Sequence, residues 1–336
     1  MKAIVYENYG SQDVLRLSEI DRPAVTDDGV LVRVRAASVN PVDWHTMTGK
    51  PYLVRMQAGL RKPKSNELGV DFAGTVEEVG KDVSKFQPGD EVFGARNGSL
   101  AEYVCVREER AVVHKPAGVT FEQAGAVAVA AISALQGLRD KGKIQPGQNV
   151  LINGASGGVG SFAVQIAKSF GAEVTAVCST RNVETARSIG ADHVIDYTQE
   201  DFTRNGEHYD LILDIAGNRS WSDYKRVLHG KGTLVVVGGP KGNRWIGPMS
   251  QALKLRLGSI GGGRRVAAPF LAKINKADLV VLRELLDAGT VTTVIDRQYE
   301  LSEAPEAFRY LGDGHARGKV VVTVEQPGQG PRPSSA

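Results

Sequence analysis

The chain has 336 residues, with 41 Lys and Arg against 38 Asp and Glu for a formal net charge of +3, and a 42% hydrophobic fraction. That length exceeds what one compact core usually holds, so two domains are expected, and the ordinary apolar content excludes the disordered and fibrous classes. A small net charge with no run of like charges gives no footprint for nucleic acid or an anionic membrane, which leaves small molecules as the expected partners.

The amino terminus, Met1-Lys2-Ala3-Ile4-Val5-Tyr6, enters a strand pattern at once. No signal-type segment and no apolar stretch long enough to span a bilayer occurs, so neither export nor membrane anchoring is expected. Cys105 and Cys178 stand far apart and make neither a disulfide framework nor a zinc cluster, which suits a reducing cytoplasm. As far as about residue 115, β-type runs such as Val30-Leu31-Val32-Arg33-Val34-Arg35-Ala36 and Gly74-Thr75-Val76-Glu77-Glu78-Val79 alternate with Gly, Pro and Asp turns. This part reads as mainly β. Within it, residues 47–66 form a long polar insertion carrying Arg55, Arg61, Lys62 and Lys64, read either as a mobile lid or as solvated surface.

The most informative stretch follows. The apolar run Asn149-Val150-Leu151-Ile152-Asn153 feeds Gly154-Ala155-Ser156-Gly157-Gly158-Val159-Gly160. Phe162, Ala163, Ile166, Ala167 and Phe170 then recur at helical spacing up to Gly171, and Glu173-Val174-Thr175-Ala176-Val177-Cys178 reads as a second strand. Strand, glycine turn and helix in this order make a dinucleotide site: glycines let a pyrophosphate approach the main chain, and the helix start favours negative charge. The spacing is G-x-x-G-x-x-G rather than the strict G-x-G-x-x-G. A NAD site normally ends the second strand with Asp or Glu. Here Cys178-Ser179-Thr180-Arg181 offers hydroxyls and a guanidinium suited to a phosphate, so NADPH is the expected cofactor. The competing reading of Arg181 is a solvated residue at a helix start.

Between 121 and 239 further strand patterns alternate with helical ones, which predicts a parallel sheet wrapped by helices. Ala216, Gly238 and Gly239 fall at carboxyl ends of its strands, where open α/β sheets bind ligands. Arg256, Arg264 and Arg265 form a second basic cluster near the expected crossover. The run Lys319-Val320-Val321-Val322-Thr323-Val324 is read as a return to the β-rich domain. The expected division is 1–122 catalytic, 123–264 nucleotide-binding, 265–325 return, and a disordered tail at 326–336 rich in Pro, Gly and Ser.

With Ser38-Val39-Asn40-Pro41-Val42-Asp43, Leu68-Gly69-Val70-Asp71-Phe72-Ala73-Gly74, Val83-Ser84-Lys85-Phe86-Gln87-Pro88-Gly89-Asp90-Glu91-Val92, the glycine turn and Gly318-Lys319-Val320-Val321, the chain resembles the medium-chain dehydrogenases/reductases. Specifically, it is similar to the zinc-independent quinone oxidoreductase branch related to zeta-crystallin. The resemblance implies an α/β fold in which a Rossmann doubly wound parallel sheet is inserted into a chaperonin-10-like (GroES-like), mainly β domain. It also implies an NADPH-dependent homodimer or homotetramer, of which the homodimer is expected here.

Relatives that use zinc hold it with Cys, a His-Glu pair and a further Cys or Asp. Here Asn40, Val70-Asp71 and an apolar residue near Val129 stand at those positions, and the four-cysteine structural cluster is missing, so no metal is expected. Without a Lewis acid to acidify an alcohol, reduction of an activated acceptor, a quinone or an α,β-unsaturated ketone, is the easier chemistry. Asn40 is the leading polar residue, read as a donor to the nicotinamide ribose or the acceptor oxygen, or else as a turn residue before Pro41. Asp43 is read as a proton relay or ribose partner, or as a helix cap. Trp44, His45 and Tyr52 are candidates to line the acceptor pocket. By resemblance the cofactor set comprises Asn40, Ser133, Ser156, Gly157, Gly158, Val159, Ser179, Thr180, Arg181, Tyr197, Ala216, Gly238, Gly239 and Lys319. An enoyl-thioester reductase and a non-catalytic NADPH-binding, crystallin-type protein stay open as alternatives.

Overall fold

The computed structural model describes residues 1–239, 245, 247, 249–259, 263–314 and 316–324. The tail expected at 326–336 lies outside the described residues. β1 (Lys2–Val5) and β2 (Arg16–Glu19) pair antiparallel as a ribbon. β3 (Gly29–Val39) is the longest strand of the β-rich domain, and its Val30, Val32 and Val34 point inward, as alternation predicts. α1 (Pro41–Thr48) starts where Pro41 fixes the first turn, with the Asp43 carboxylate accepting from Asn40 N, and stops at Gly49 with φ +59°. α2 (Arg55–Ala58), β4 (Asp71–Val79), β5 (Glu91–Ala95), β6 (Tyr103–Arg107) and β7 (Val112–His114) follow.

The insertion at 47–66 carries short elements of its own. It holds a 3-10 turn at Tyr52–Val54 as well as α2. Arg55 stacks 4.5 Å above the Tyr9 ring and donates to Gly49 O at 3.0 Å, while Tyr9 donates to Gly59 O at 2.5 Å. Arg55 therefore serves as a tether to the β-rich domain, a use of a cation that composition cannot reveal.

α3 (Phe121–Ala124) and α4 (Ala128–Leu135) lead into the second domain. Its elements are β8 (Asn149–Asn153), α5 (Gly158–Ser169), β9 (Glu173–Cys178), α6 (Val183–Ser188), β10 (His193–Asp196), β11 (Tyr209–Asp214), α7 (Trp221–Val227), β12 (Leu228–Val236), α8 (Met249–Gly258), β13 (Arg265–Val266) and α9 (Lys276–Asp287). The six strands run parallel in the order β10-β9-β8-β11-β12-β13, the doubly wound order whose direction reverses between β8 and β11. Val150, Leu151, Ile152, Ile212 and Leu213 are fully buried, because helices cover both faces of the sheet.

β14 (Ile295–Glu300), α10 (Ala304–Asp313) and β15 (Lys319–Thr323) complete the chain, and β15 inserts beside β3 in the seven-stranded sheet. The boundary expected at 264/265 is too early. β13 belongs to the parallel sheet, and α9 sinks Leu279, Leu282 and Leu286 into the same core as β8 and α5, so the chain rejoins the β-rich domain only at β14. A two-residue strand leaves no periodicity to read, which is why the sequence misplaces this crossover.

Candidate active site

The glycine turn lies at the carboxyl end of β8, beside the switch point. Gly154 takes φ +92°, open to glycine at little cost, and a Cβ on Gly160 would lie 2.1 Å from Gly154 O. The strand and helix can approach this closely only with hydrogen at that position. Gly157, which precedes α5, offers no side-chain cap, and the amides of Gly158, Val159 and Gly160 have no protein acceptor among the described residues. An uncapped twelve-residue helix behind an open glycine turn fits the pyrophosphate of a dinucleotide.

Against this turn lies a buried polar cluster from the other domain. A Cβ on Gly158 would sit 3.0 Å from Lys319 Cδ, so the lysine stem covers the turn. Lys319 Nζ donates to Asn40 Oδ1 and lies 3.4 Å from Asp71 Oδ2. Asp71 also accepts from Ser38 Oγ at 2.8 Å, Asn40 Nδ2 at 3.0 Å and Val129 N at 2.8 Å. Asn40, Asp43, Asp71 and Lys319 are all at most 3% exposed. A carboxylate tolerates such burial only when its lone pairs are filled, and Asp71 has four donors from three segments of chain. Burial pushes the Lys319 ammonium below its ordinary range. Asp43 accepts from Asn40 N at 2.8 Å, and burial, followed by the nearby Asp71 charge, pushes its carboxyl up to about 7.

This placement changes what Asn40 and Asp43 can do. The Asn40 amide is engaged at both ends, by Lys319 and by Asp71, and Asp43 closes the cap of α1. Asp71, read from sequence only as a replaced metal ligand, is the centre of the cluster. Its signal was a lone acid entering an apolar strand. With its oxygens already filled by internal donors, this donor set does not suit a zinc ion, and no group of three His, Cys, Asp or Glu able to hold a metal occurs among the described residues.

Of the acceptor-pocket candidates, Trp44 packs on the β-rich core against Gly312, and His45 Nδ1 pairs with Lys50 O at 2.6 Å. Tyr52 meets Trp245 of the nucleotide domain edge-on at 5.3 Å, and Leu53 N donates to Trp245 O at 3.0 Å, so this turn contacts both domains. A cavity of about 840 Å³ opens elsewhere in the β-rich domain, lined by Glu67, Val70, Arg96, Tyr103, Arg107 and Arg110 among others; no residue of the glycine turn or of the Asn40 cluster lines it.

The chain matches the family described as "Alcohol dehydrogenase GroES-like domain" over residues 26–117 and that described as "Zinc-binding dehydrogenase" over residues 189–322. It is 34% identical to the chloroplastic quinone-oxidoreductase QR1 of Triphysaria versicolor, covering 96% of this chain and 98% of that protein. It is 35% identical to the 2-methylene-furan-3-one reductase of Solanum lycopersicum over 96% of this chain and 79% of that one. The solved quinone oxidoreductase from Coxiella burnetii superposes with a TM-score of 0.82 at 30% identity, covering 97% and 99% of the two chains. The chain belongs to the medium-chain dehydrogenase/reductase superfamily, in its quinone oxidoreductase-like branch. The zinc in the second description carries no weight here, because 189–322 contains none of Asn40, Val70, Asp71 and Val129.

As a medium-chain reductase it is an oxidoreductase with a nicotinamide cofactor, and the remaining candidates can be placed against that crevice. Ser133 sits on α4 with its hydroxyl bonded back to Val129 O at 2.7 Å. Ser156, Gly157, Gly158 and Val159 are half-buried in the turn itself. Ala216 N donates to Asn153 O at 3.3 Å, and a Cβ on Gly238 would lie 2.3 Å from Ile215 O, so both hug the switch point, with Gly239 following. Asn153 and Gly217 donate to Asp214 Oδ1, each at 2.9 Å, and the Tyr224 hydroxyl lies beside the same carboxyl. Burial raises the Asp214 carboxyl above its usual range. Ser179, Thr180, Arg181 and Tyr197 gather at the far end, around β9 and β10. Among the described residues no helix is long and apolar enough to cross a membrane.

Proposed function

We propose that this chain is an NADPH-dependent, zinc-independent reductase of quinones or activated enones. The carrying observation is the uncapped glycine turn at α5, covered by the buried Asn40–Asp71–Lys319 cluster. The amides of Gly158, Val159 and Gly160 would hold the pyrophosphate, and Arg181 the additional phosphate of NADPH. The bound nicotinamide supplies hydride. Lys319, fixed by Asn40 and Asp71, sets a cation at the domain seam beside the turn, and the low water access of this cluster keeps its field unscreened. Asn40 serves by orienting Lys319 and Asp71. The relatives named as a quinone oxidoreductase and as a furanone reductase support the acceptor class. A cytoplasmic site is supported by two unpaired thiols, Cys105 and Cys178. A homodimer completes the proposal, supported by Leu253 and Leu257, exposed on α8.

NADPH consumption against a panel of benzoquinones, naphthoquinones, enones, aldehydes and enoyl thioesters tests this reading. Quinones or enones should dominate, with rates unmoved by chelator. Dominant enoyl-thioester turnover would move the assignment to that class. Tight NADPH binding with no turnover would make the chain a binding protein.

A further inference from the structure

The end of β9 carries no acid, yet the fold supplies one from the next strand. Cys178 and Asp196 are register partners in the β9–β10 pair, and Tyr197 N donates to Cys178 O at 3.0 Å. The Asp196 carboxylate is thereby set against Thr180, the residue before Arg181. Thr180 Oγ1 donates to Asp196 Oδ2 at 2.5 Å, and Asp196 Oδ1 accepts from the Thr198 amide at 3.0 Å and hydroxyl at 2.8 Å. The hydrogen bond from Thr180 holds Asp196 below the usual carboxylate range, so it is anionic at neutral pH. Arg181 is exposed and has no hydrogen-bond or ion-pair partner among the described residues, so it leaves Asp196 unneutralised.

Two consequences follow for a phosphate at this end of the crevice. A hydroxyl has one proton to give, and Thr180 gives it to Asp196 while also lying 3.0 Å from Thr198 Oγ1, so donating to a phosphate would cost the bond to Asp196. A carboxylate repels a phosphate but accepts from ribose hydroxyls. We propose that Asp196 is a specificity-determining residue of the cofactor site: it restrains the preference for the 2′-phosphate that Arg181 confers and keeps NADH a usable ligand. This rests on the reductase reading, and it places in the third strand the acid that such sites normally carry in the second.

Asp196→Asn keeps an oxygen for Thr180 and removes the charge. The Kd values of NADPH and NADH are read from reduced-nicotinamide fluorescence without acceptor, at low salt and at about 0.5 M salt. The variant should bind NADPH roughly three- to tenfold more tightly, with NADH unchanged or weaker, and the gain should shrink in high salt. Equal shifts for both cofactors, or a shift blind to salt, would make Asp196 a loop support and overturn the inference while the reductase reading stands. No binding of either cofactor to the wild type would overturn both.

Discussion

The two ends of the cofactor crevice are built on opposite electrostatic plans. At the domain seam, Asp71 and Lys319 are separated by 248 residues, almost without exposure, and every charge has a partner. At the sheet edge, Thr180, Arg181 and Asp196 lie within one strand–helix–strand unit, open to water, with Arg181 unpaired among the described residues. A buried charge must be matched inside the protein, so the seam is a finished structure whose disturbance costs folding. An exposed charge is matched by solvent until a ligand arrives, so disturbance at the edge costs binding. Substitutions at the two ends should therefore separate stability from affinity.

The largest effect is expected from Lys319→Met. It keeps the stem that covers Gly158 but leaves Asp71 without its cation, and removing one member of a buried pair costs about 3–5 kcal/mol. Thermal or denaturant unfolding should show this loss without any cofactor present. An unchanged midpoint would mean that the hydrogen bonds from Ser38, Asn40 and Val129 suffice for Asp71.

Next comes Asp43→Asn, which tests the seam by pH. The Asp43 carboxyl is raised from 3.8 to about 7, so the folded state prefers its protonated form. Its contribution is complete below about pH 4 and is lost as pH rises to about 7, a swing on the order of 4 kcal/mol. The Asn side chain can still accept from Asn40 N and does not titrate. Unfolding free energies measured across this window should fall less steeply with rising pH in the variant than in the wild type; parallel curves would remove Asp43 as the cause.

The same contrast explains what the sequence made legible. β8, the glycine turn and α5 declare themselves within 21 residues, because a short apolar run, closely spaced glycines and helical spacing are local properties. Asn40 and Lys319 were each noticeable, but nothing local says that a lysine 279 residues away caps the asparagine oxygen. Asp196 was hidden differently. An acid was sought at the end of β9, whereas sheet register delivered it from β10, and register is a pairing between strands that a single run of residues does not encode. Trp44 shows a related limit: its packing against the β-rich core and Gly312 is a contact between α1 and α10 that no local run of residues encodes.

The smallest effect is expected from Arg181→Ala, and it sharpens the comparison most. The side chain is exposed and supports no neighbour among the described residues, so unfolding free energy should move by less than about 0.5 kcal/mol. Binding should respond instead. Loss of one charge-assisted contact at a solvated site is worth roughly a five- to tenfold rise in Kd for NADPH. NADH, lacking the 2′-phosphate, should bind as before. A fluorescence titration with both cofactors, alongside one unfolding curve, reads both quantities on the same protein. If NADPH affinity is unmoved, the guanidinium is a solvated residue and the preference must be sought elsewhere around β9 and β10. If stability falls instead, the edge is coupled to the fold like the seam, and the division between the two ends is lost.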